Sequence, residues 1–282
     1  MHWHQKLTLV DRALRSCAAL AEQTGEGEWD FAVANGGALL GRARLCEEWL
    51  VLDLPCDGAL DAARAWDLLP FNPRLNGHAK FALRRRAVHL RAEIPITGQT
   101  DLTLRLTDCH HGFQQGLALA CGYSPAPVEQ AASAFSLPAS RDLAELLEEA
   151  GWPAVQRDAN RFAVELEVGA GLYRQALLRC GEEGLRITAE LVSWRQAAVQ
   201  SREALGVFLS TANWALRLVR AAAEDGESTR AWFEVAYQAA PEPAELSLAL
   251  GALSVACRLA GREAASLEDP ELAGRYLELQ GF

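Results

Sequence analysis

The chain has 282 residues, half of them hydrophobic and 23% charged. That balance permits one large core or two ordinary ones and excludes wholesale disorder. The formal net charge is -10, and the longest basic run is Arg84-Arg85-Arg86. Nucleic-acid binding draws most of its affinity from phosphate neutralisation, so this balance argues against a nucleic-acid partner and leaves a basic protein partner open.

The start, Met1-His2-Trp3-His4, lacks the charged head, apolar middle and small-residue cleavage site of a signal peptide. No apolar run reaches the roughly 18 residues of a membrane span. A cytoplasmic location without membrane contact is expected. The seven cysteines are odd in number and lack C-x-x-C spacing, which predicts reduced core thiols rather than disulfides or a zinc site.

Thr8 and Asp11 stand at capping-box spacing. Val10, Leu14, Cys17, Ala18 and Ala21 recur at helical intervals, so a first helix is expected to run towards Gly25 and Gly27. Three strands follow over 29–34, 39–46 and 49–54, the first two joined by the hairpin signal Asn35-Gly36-Gly37. Leu50, Leu52 and Leu54 share one face of the third, with Trp49 and Val51 on the other. A short helix over 60–69 is broken by Pro70-Phe71-Asn72-Pro73. Strands over 79–83 and 88–94 come next. In the latter, Val88, Leu90, Ala92 and Ile94 oppose His89, Arg91 and Glu93, the mark of a sheet with one dry and one wet face. A helix over 104–121, with Leu106, His110, Phe113, Leu117 and Cys121 in its stripe, closes a first unit over 1–122.

Residues 123–139, holding Ser124, Pro125, Pro127 and Pro138, read as a linker, with a helical turn or two over 128–135. A second unit over 140–282 repeats the order. Asp142 and Glu145 fit a capping box ahead of the stripe Leu143, Leu146, Leu147 and Ala150, and Gly151 closes the helix. Strands over 162–168, 173–180 and 185–191 precede a helix over 203–213 and strands over 216–223 and 229–237. Trp232 opposes Phe233, Val235 and Tyr237. Of the two closing helices, the stretch 246–259 is apolar nearly all round and should be covered on more than one side. Asp269-Pro270-Glu271 starts the last.

The two units share one element order, and Asn72 and Asn213 align at a separation of 213 − 72 = 141 positions. The fold expected is α+β: two tandem units, each an antiparallel sheet with helices on one face in the order α-β-β-β-α-β-β-α, packed as an intramolecular pseudo-dimer. This order resembles that of class I type III secretion chaperones and of the related YbjN-like proteins. Ala144-Glu145-Leu146-Leu147-Glu148-Glu149-Ala150-Gly151-Trp152 resembles the opening of YbjN-like domains, and Leu209 with Asn213 before two strands resembles that family's Asn-ended helix. The likeness covers about residues 140–265. Over 5–121 it rests on Leu69, Asn72 and Ala79-Lys80-Phe81-Ala82-Leu83. It implies a non-enzymatic, protein-binding fold that pairs with itself, either as a homodimer or, with two units fused, within one chain.

No motif carries catalytic chemistry, a cofactor or a metal. His110 and His111 are adjacent on a helix and point about 100° apart, unsuited to one ion, so one buried and one exposed histidine is expected. Asp53, Asp57 and Asp61 read as turn and helix-start acids. Asn72 and Asn213 read as helix terminators that bond nearby backbone. Trp49, Val51 and Trp232 fall on the wetter sheet faces, where apolar groups mark contact with a partner or with the other unit. The function expected is protein binding of a chaperone or scaffold kind, towards an unidentified client. The alternative is a regulatory or small-ligand protein with a site between the units.

Overall fold

A computed structural model describes residues 2–17, 21–34, 38–59, 61–97, 100–120, 143–182 and 184–282. The expected linker, the cap Asp142, Cys121 and the turn Asn35-Gly36-Gly37 lie outside these residues. The class is α+β: two six-stranded antiparallel sheets with helices.

The first half comprises α1 (Trp3–Cys17), β1 (Ala21–Gly25), β2 (Glu28–Ala34), β3 (Ala38–Cys46), β4 (Trp49–Ala59), α2 (Ala62–Leu68), a 3-10 helix (Leu69–Arg74), β5 (Lys80–Arg84), β6 (Ala87–Pro95) and α3 (Leu102–Ala120). The second comprises α4 (Leu143–Glu149), β7 (Ala154–Asp158), β8 (Arg161–Gly169), β9 (Leu172–Gly181), β10 (Gly184–Trp194), α5 (Val199–Ala215), β11 (Arg220–Asp225), β12 (Thr229–Tyr237), α6 (Pro243–Ser266) and α7 (Pro270–Gln280). The strand orders are β1-β2-β3-β4-β6-β5 and β7-β8-β9-β10-β12-β11, the same path followed twice.

Each half therefore opens with four strands before its middle helix, where three are expected from sequence. The additional strands are β1 and β7, the outermost of each sheet. Every residue of β7 is exposed, as are Glu22, Gln23 and Thr24 of β1. Edge strands bound only through backbone need no apolar alternation, so periodicity does not reveal them. The first helix correspondingly stops at Cys17. Thr8 and Asp11 lie inside it rather than at its cap: Thr8 Oγ1 donates to His4 O at 2.9 Å, and Asp11 accepts from Trp29 Nε1 at 3.1 Å.

The strand faces follow the period-two pattern. Leu50, Leu52, Leu54, Val88, Leu90 and Ile94 are buried beneath α3, and Leu178, Leu185, Ile187, Phe233 and Val235 beneath α6. A buried aliphatic side chain of this kind contributes about 1.5–3 kcal/mol. The opposite face of the first sheet is laced with charge. Arg42 pairs with Asp30 and Arg44 with Glu28 across β2 and β3. Helix α6 is long and apolar enough by composition to cross a membrane, and half of its most apolar window is buried. As expected it is covered by more than one element, packing against β8, β10 and β12 and against α4 and α5, while Val255 and Leu259 reach solvent. Among the described cysteines, Cys109 and Cys257 are buried and Cys17, Cys46, Cys56 and Cys180 half-buried, all as free thiols.

The two halves meet through their middle helices. Ser210 on α5 donates to Ala65 O on α2 at 3.3 Å. A Cβ at Gly206 would lie 2.6 Å from Trp66 N and 2.7 Å from its Cα, so only glycine lets the helices approach this closely. Gly206→Ala should destabilise the protein by about 1–3 kcal/mol, because the obstacle is backbone. Gly251→Ala, in α6 with nothing within 4 Å, should stabilise by about 0.5–1 kcal/mol through helix propensity alone. Urea denaturation of both variants checks the contrast, and equal effects would contradict this account of the helix crossing.

Candidate functional site

Each sheet ends, on the side facing the other half, in a strand with one bare edge: β5 and β11. Such edges carry unpaired N–H and C=O groups that cannot be buried without partners. Two asparagines supply them. Asn72, fully buried in the 3-10 helix, accepts from Phe81 N of its own half at 2.7 Å and donates to Ala221 O of the other half at 2.7 Å. Asn213, fully buried in α5, accepts from Ala221 N at 2.6 Å and donates to Phe81 O across the seam at 2.8 Å. The exchange is reciprocal: each edge residue has its N–H bound by its own asparagine and its carbonyl by the opposite one. Sequence reading expects both asparagines to terminate their helices, but the 3-10 helix runs on to Arg74 and α5 to Ala215. Local backbone bonding is half of their role, and bridging the halves is the other half.

Two buried cations repeat the reciprocity. Lys80 of β5 donates across the seam to Leu216 O at 2.6 Å and Val219 O at 2.9 Å, and pairs with Glu93 at 2.8 Å. Both Lys80 and Glu93 have 0% side-chain exposure, which makes mutual pairing obligatory. Burial lowers the Lys80 ammonium from its ordinary value, and Glu93 opposes that shift. Arg220 of β11 donates across the seam to Leu75 O at 2.8 Å and to Gly77 O and Ala79 O at 3.3 Å, and pairs with Glu234 at 2.6 Å. Glu93 also accepts from Leu218 N at 3.3 Å, holding a non-glycine residue with φ 66. Further along, Arg105 on α3 pairs with Glu245 on α6 at 3.0 Å and donates to Ala239 O at 3.2 Å. Desolvation offsets most of the attraction in such pairs, but removing one partner strands the other and costs about 3–5 kcal/mol.

The segment 214–219 thus lies on the charged outer face of the first sheet, and it decides the setting of two predicted contact residues. Trp49 is half-buried with the Arg217 guanidinium 5.5 Å above its ring. Val51 is half-buried between Arg44 and Glu93 in register. Trp232 lies apart from both, on the outer face of the second sheet. It is half-buried, between Glu190 and Ala222 in register, with Nε1 3.5 Å from Glu234 Oε2.

The candidate acids have local tasks. Asp53 bonds His89 Nδ1 at 2.8 Å, and Asp61 caps α2 through Arg64 N at 2.8 Å; the side chain of Asp57 is not among those described. His110 and His111 are both half-buried rather than one buried and one exposed. Among the described residues no three His, Cys, Asp or Glu side chains converge in a group that could hold a metal. Two hollows, of about 510 and 420 Å³, are lined by second-half residues, around Arg179 and Arg186 and around Trp152 and Phe162. Neither lies between the halves.

Sequence reading misses Lys80, Arg220, Arg105, Trp214 and His78. A lone cation inside an apolar strand, as in Ala79-Lys80-Phe81 or Val219-Arg220-Ala221, is the one signal that could have flagged the first two. Comparison of the chain with protein-family models, with curated proteins and with solved structures returned no match.

Two measurements follow from the seam. Asn72→Ala leaves the Phe81 N–H and the Ala221 carbonyl buried without partners and should cost about 1–3 kcal/mol in urea denaturation. Asn72→Asp, which keeps an acceptor for Phe81 but loses the donor to Ala221, should also destabilise. A wild-type Asn72→Asp midpoint would show that the cross-seam bond contributes nothing.

His78 is 2% exposed, edge-on to Tyr237 of β12 at 5.1 Å, and neither ring nitrogen has a partner among the described residues. Burial, then Arg105 of α3, Arg220 of β11 and Lys80 of β5, hold its pKa well below the ordinary 6.5. The folded protein resists the proton that the unfolded chain takes up below pH 6.5, so stability should fall with pH there. His78→Leu should flatten that decline in Tm against pH, and an unchanged slope would assign acid sensitivity elsewhere.

Proposed function

We propose that this chain is a non-enzymatic, cytoplasmic, protein-binding protein of the chaperone or scaffold kind, its two units working as an intramolecular pseudo-dimer. The observation that carries this reading is the outer face of the second sheet. Val155, Ala163 and Leu177 form one cross-strand row over β7, β8 and β9, on the face opposite Phe162, Val164 and Leu178, with Ala163 itself buried. Val155 is 59% and Leu177 48% exposed, and Tyr173 on the same face is 61% exposed. Contiguous apolar groups left on a rigid face mark a contact site. Strand β7 beside them is a bare edge able to accept an extended segment by backbone pairing. Trp232 belongs to this face. Trp49, under Arg217, belongs to the junction of the units, and Val51 lies beside Glu93 on the same face.

The reciprocal asparagine exchange supports the pseudo-dimer. It has the form of an isologous interface, in which residue i meets j and the equivalent of j meets the equivalent of i. The likeness of element order to secretion chaperones and YbjN-like proteins, from which the edge strands β1 and β7 depart, supports protein binding by analogy of fold. The seam offers little to the small-ligand alternative, because its buried asparagines and cations are bound to one another and to backbone.

Affinity capture from native cell extract with wild-type protein and with Val155→Asp/Leu177→Asp tests the reading. Both substitutions are at exposed positions and should leave stability within about 0.5 kcal/mol. One partner enriched by wild type and lost with the folded variant is expected. Equal capture by both, or nothing above background, would overturn the proposal.

A further inference from the structure

We propose that the β5–β6 hairpin tip is a docking surface for an acidic segment of a partner protein, separate from the apolar face of the second sheet. Arg84, Arg85 and Arg86 are all exposed, and none has a carboxylate partner among the described residues. On a chain with net charge -10, three consecutive guanidiniums at one hairpin tip form a local excess that the protein itself leaves unbalanced.

Their presentation suits carboxylate recognition. The guanidinium of Arg84 lies 4.7 Å over the Trp214 ring and that of Arg86 4.8 Å over Phe282. An aromatic ring occupies the face of a guanidinium and leaves the N–H donors in its plane free, so these side chains are preorganised for two-point bonding to carboxylates. Arg91, 4.2 Å from the same Trp214 ring, is already engaged by Glu93 at 2.6 Å and serves as support.

The turn itself is chosen against stability. Arg84 pairs with Ala87, and the two residues between, Arg85 and Arg86, have φ of 49 and 64. A two-residue hairpin with both central residues at positive φ favours Asn-Gly, and two arginines there are strained. The equivalent turn of the second half supplies an internal contrast. There Glu224 is paired with Arg230 at 3.2 Å and Asp225 with Arg202 at 2.8 Å, so its charges are matched within the fold. A nucleic acid fits less well than an acidic peptide. The basic run is three residues long, too short to neutralise an extended phosphate chain.

The test is fluorescence anisotropy of a fluorescein-labelled oligoglutamate peptide against the full chain at low salt, with labelled oligothymidylate as the second probe. Wild type should bind oligoglutamate more tightly than oligothymidylate and lose affinity as salt is raised. Arg85→Asn/Arg86→Gly gives the turn its preferred residues. It should weaken oligoglutamate binding roughly two- to thirtyfold while raising Tm by roughly 2–4 °C. Weakened binding with raised Tm cannot come from unfolding. Oligoglutamate binding absent in wild type, or equal in the variant, would overturn the proposal, as would tighter binding of oligothymidylate. None of these outcomes bears on capture through Val155 and Leu177.

Discussion

A bare strand edge cannot be buried with its backbone groups unpaired, and the protein buries two such edges against each other's surroundings. Asn72 and Asn213 resolve this constraint with four hydrogen bonds, two within a half and two between halves. An amide side chain suits the position because it carries a donor and an acceptor on one planar group. Much else near the seam is arranged by it. The 3-10 helix and α5 must sit where their asparagines reach both edges. The α2–α5 crossing must be close, hence glycine at 206. The loops before β5 and β11 must end in carbonyls aimed at a cation from across the seam.

The buried cations act on geometry more than on stability. Replacing a buried ion pair by apolar residues is often neutral, whereas breaking it is costly, so the pairs Lys80–Glu93 and Arg220–Glu234 penalise any register in which they would part. The two halves have nonetheless diverged where the seam does not constrain them. One presents arginines at its hairpin tip and the other a balanced set of acids and arginines. One sheet has a charge-laced outer face and the other an apolar row. In the proposed reading, duplication preserved the joint and freed the outer surfaces to specialise.

Much of the fold is legible in the sequence because period-two alternation reports burial directly, as in Val88 to Ile94 and Leu185 to Leu191. Strands β1 and β7 escape because an exposed edge strand has no dry face to write into the sequence. Glu93 escapes for the opposite reason. Alternation assigns it to the wet face correctly, but the segment 214–219, more than a hundred positions away, covers that face. The pairing of Asn72 with Asn213 is visible as a repeat register, while the bonds they exchange depend on tertiary placement that no local pattern encodes. Trp49 and Trp232 are found by the same alternation, and only the structure tells that Arg217 and Glu234 engage them.

Native-state hydrogen exchange at the amides of Phe81 and Ala221 tests the central claim most directly. Both lie on outermost strands, where amides facing away from the sheet exchange readily unless something else binds them. If the asparagine exchange joins the halves into one cooperative structure, both amides should be protected to the free energy of global unfolding, together and equally. Rapid exchange at either, comparable to the bare edge of β7, would show that the seam opens independently and that the two sheets are not held by it.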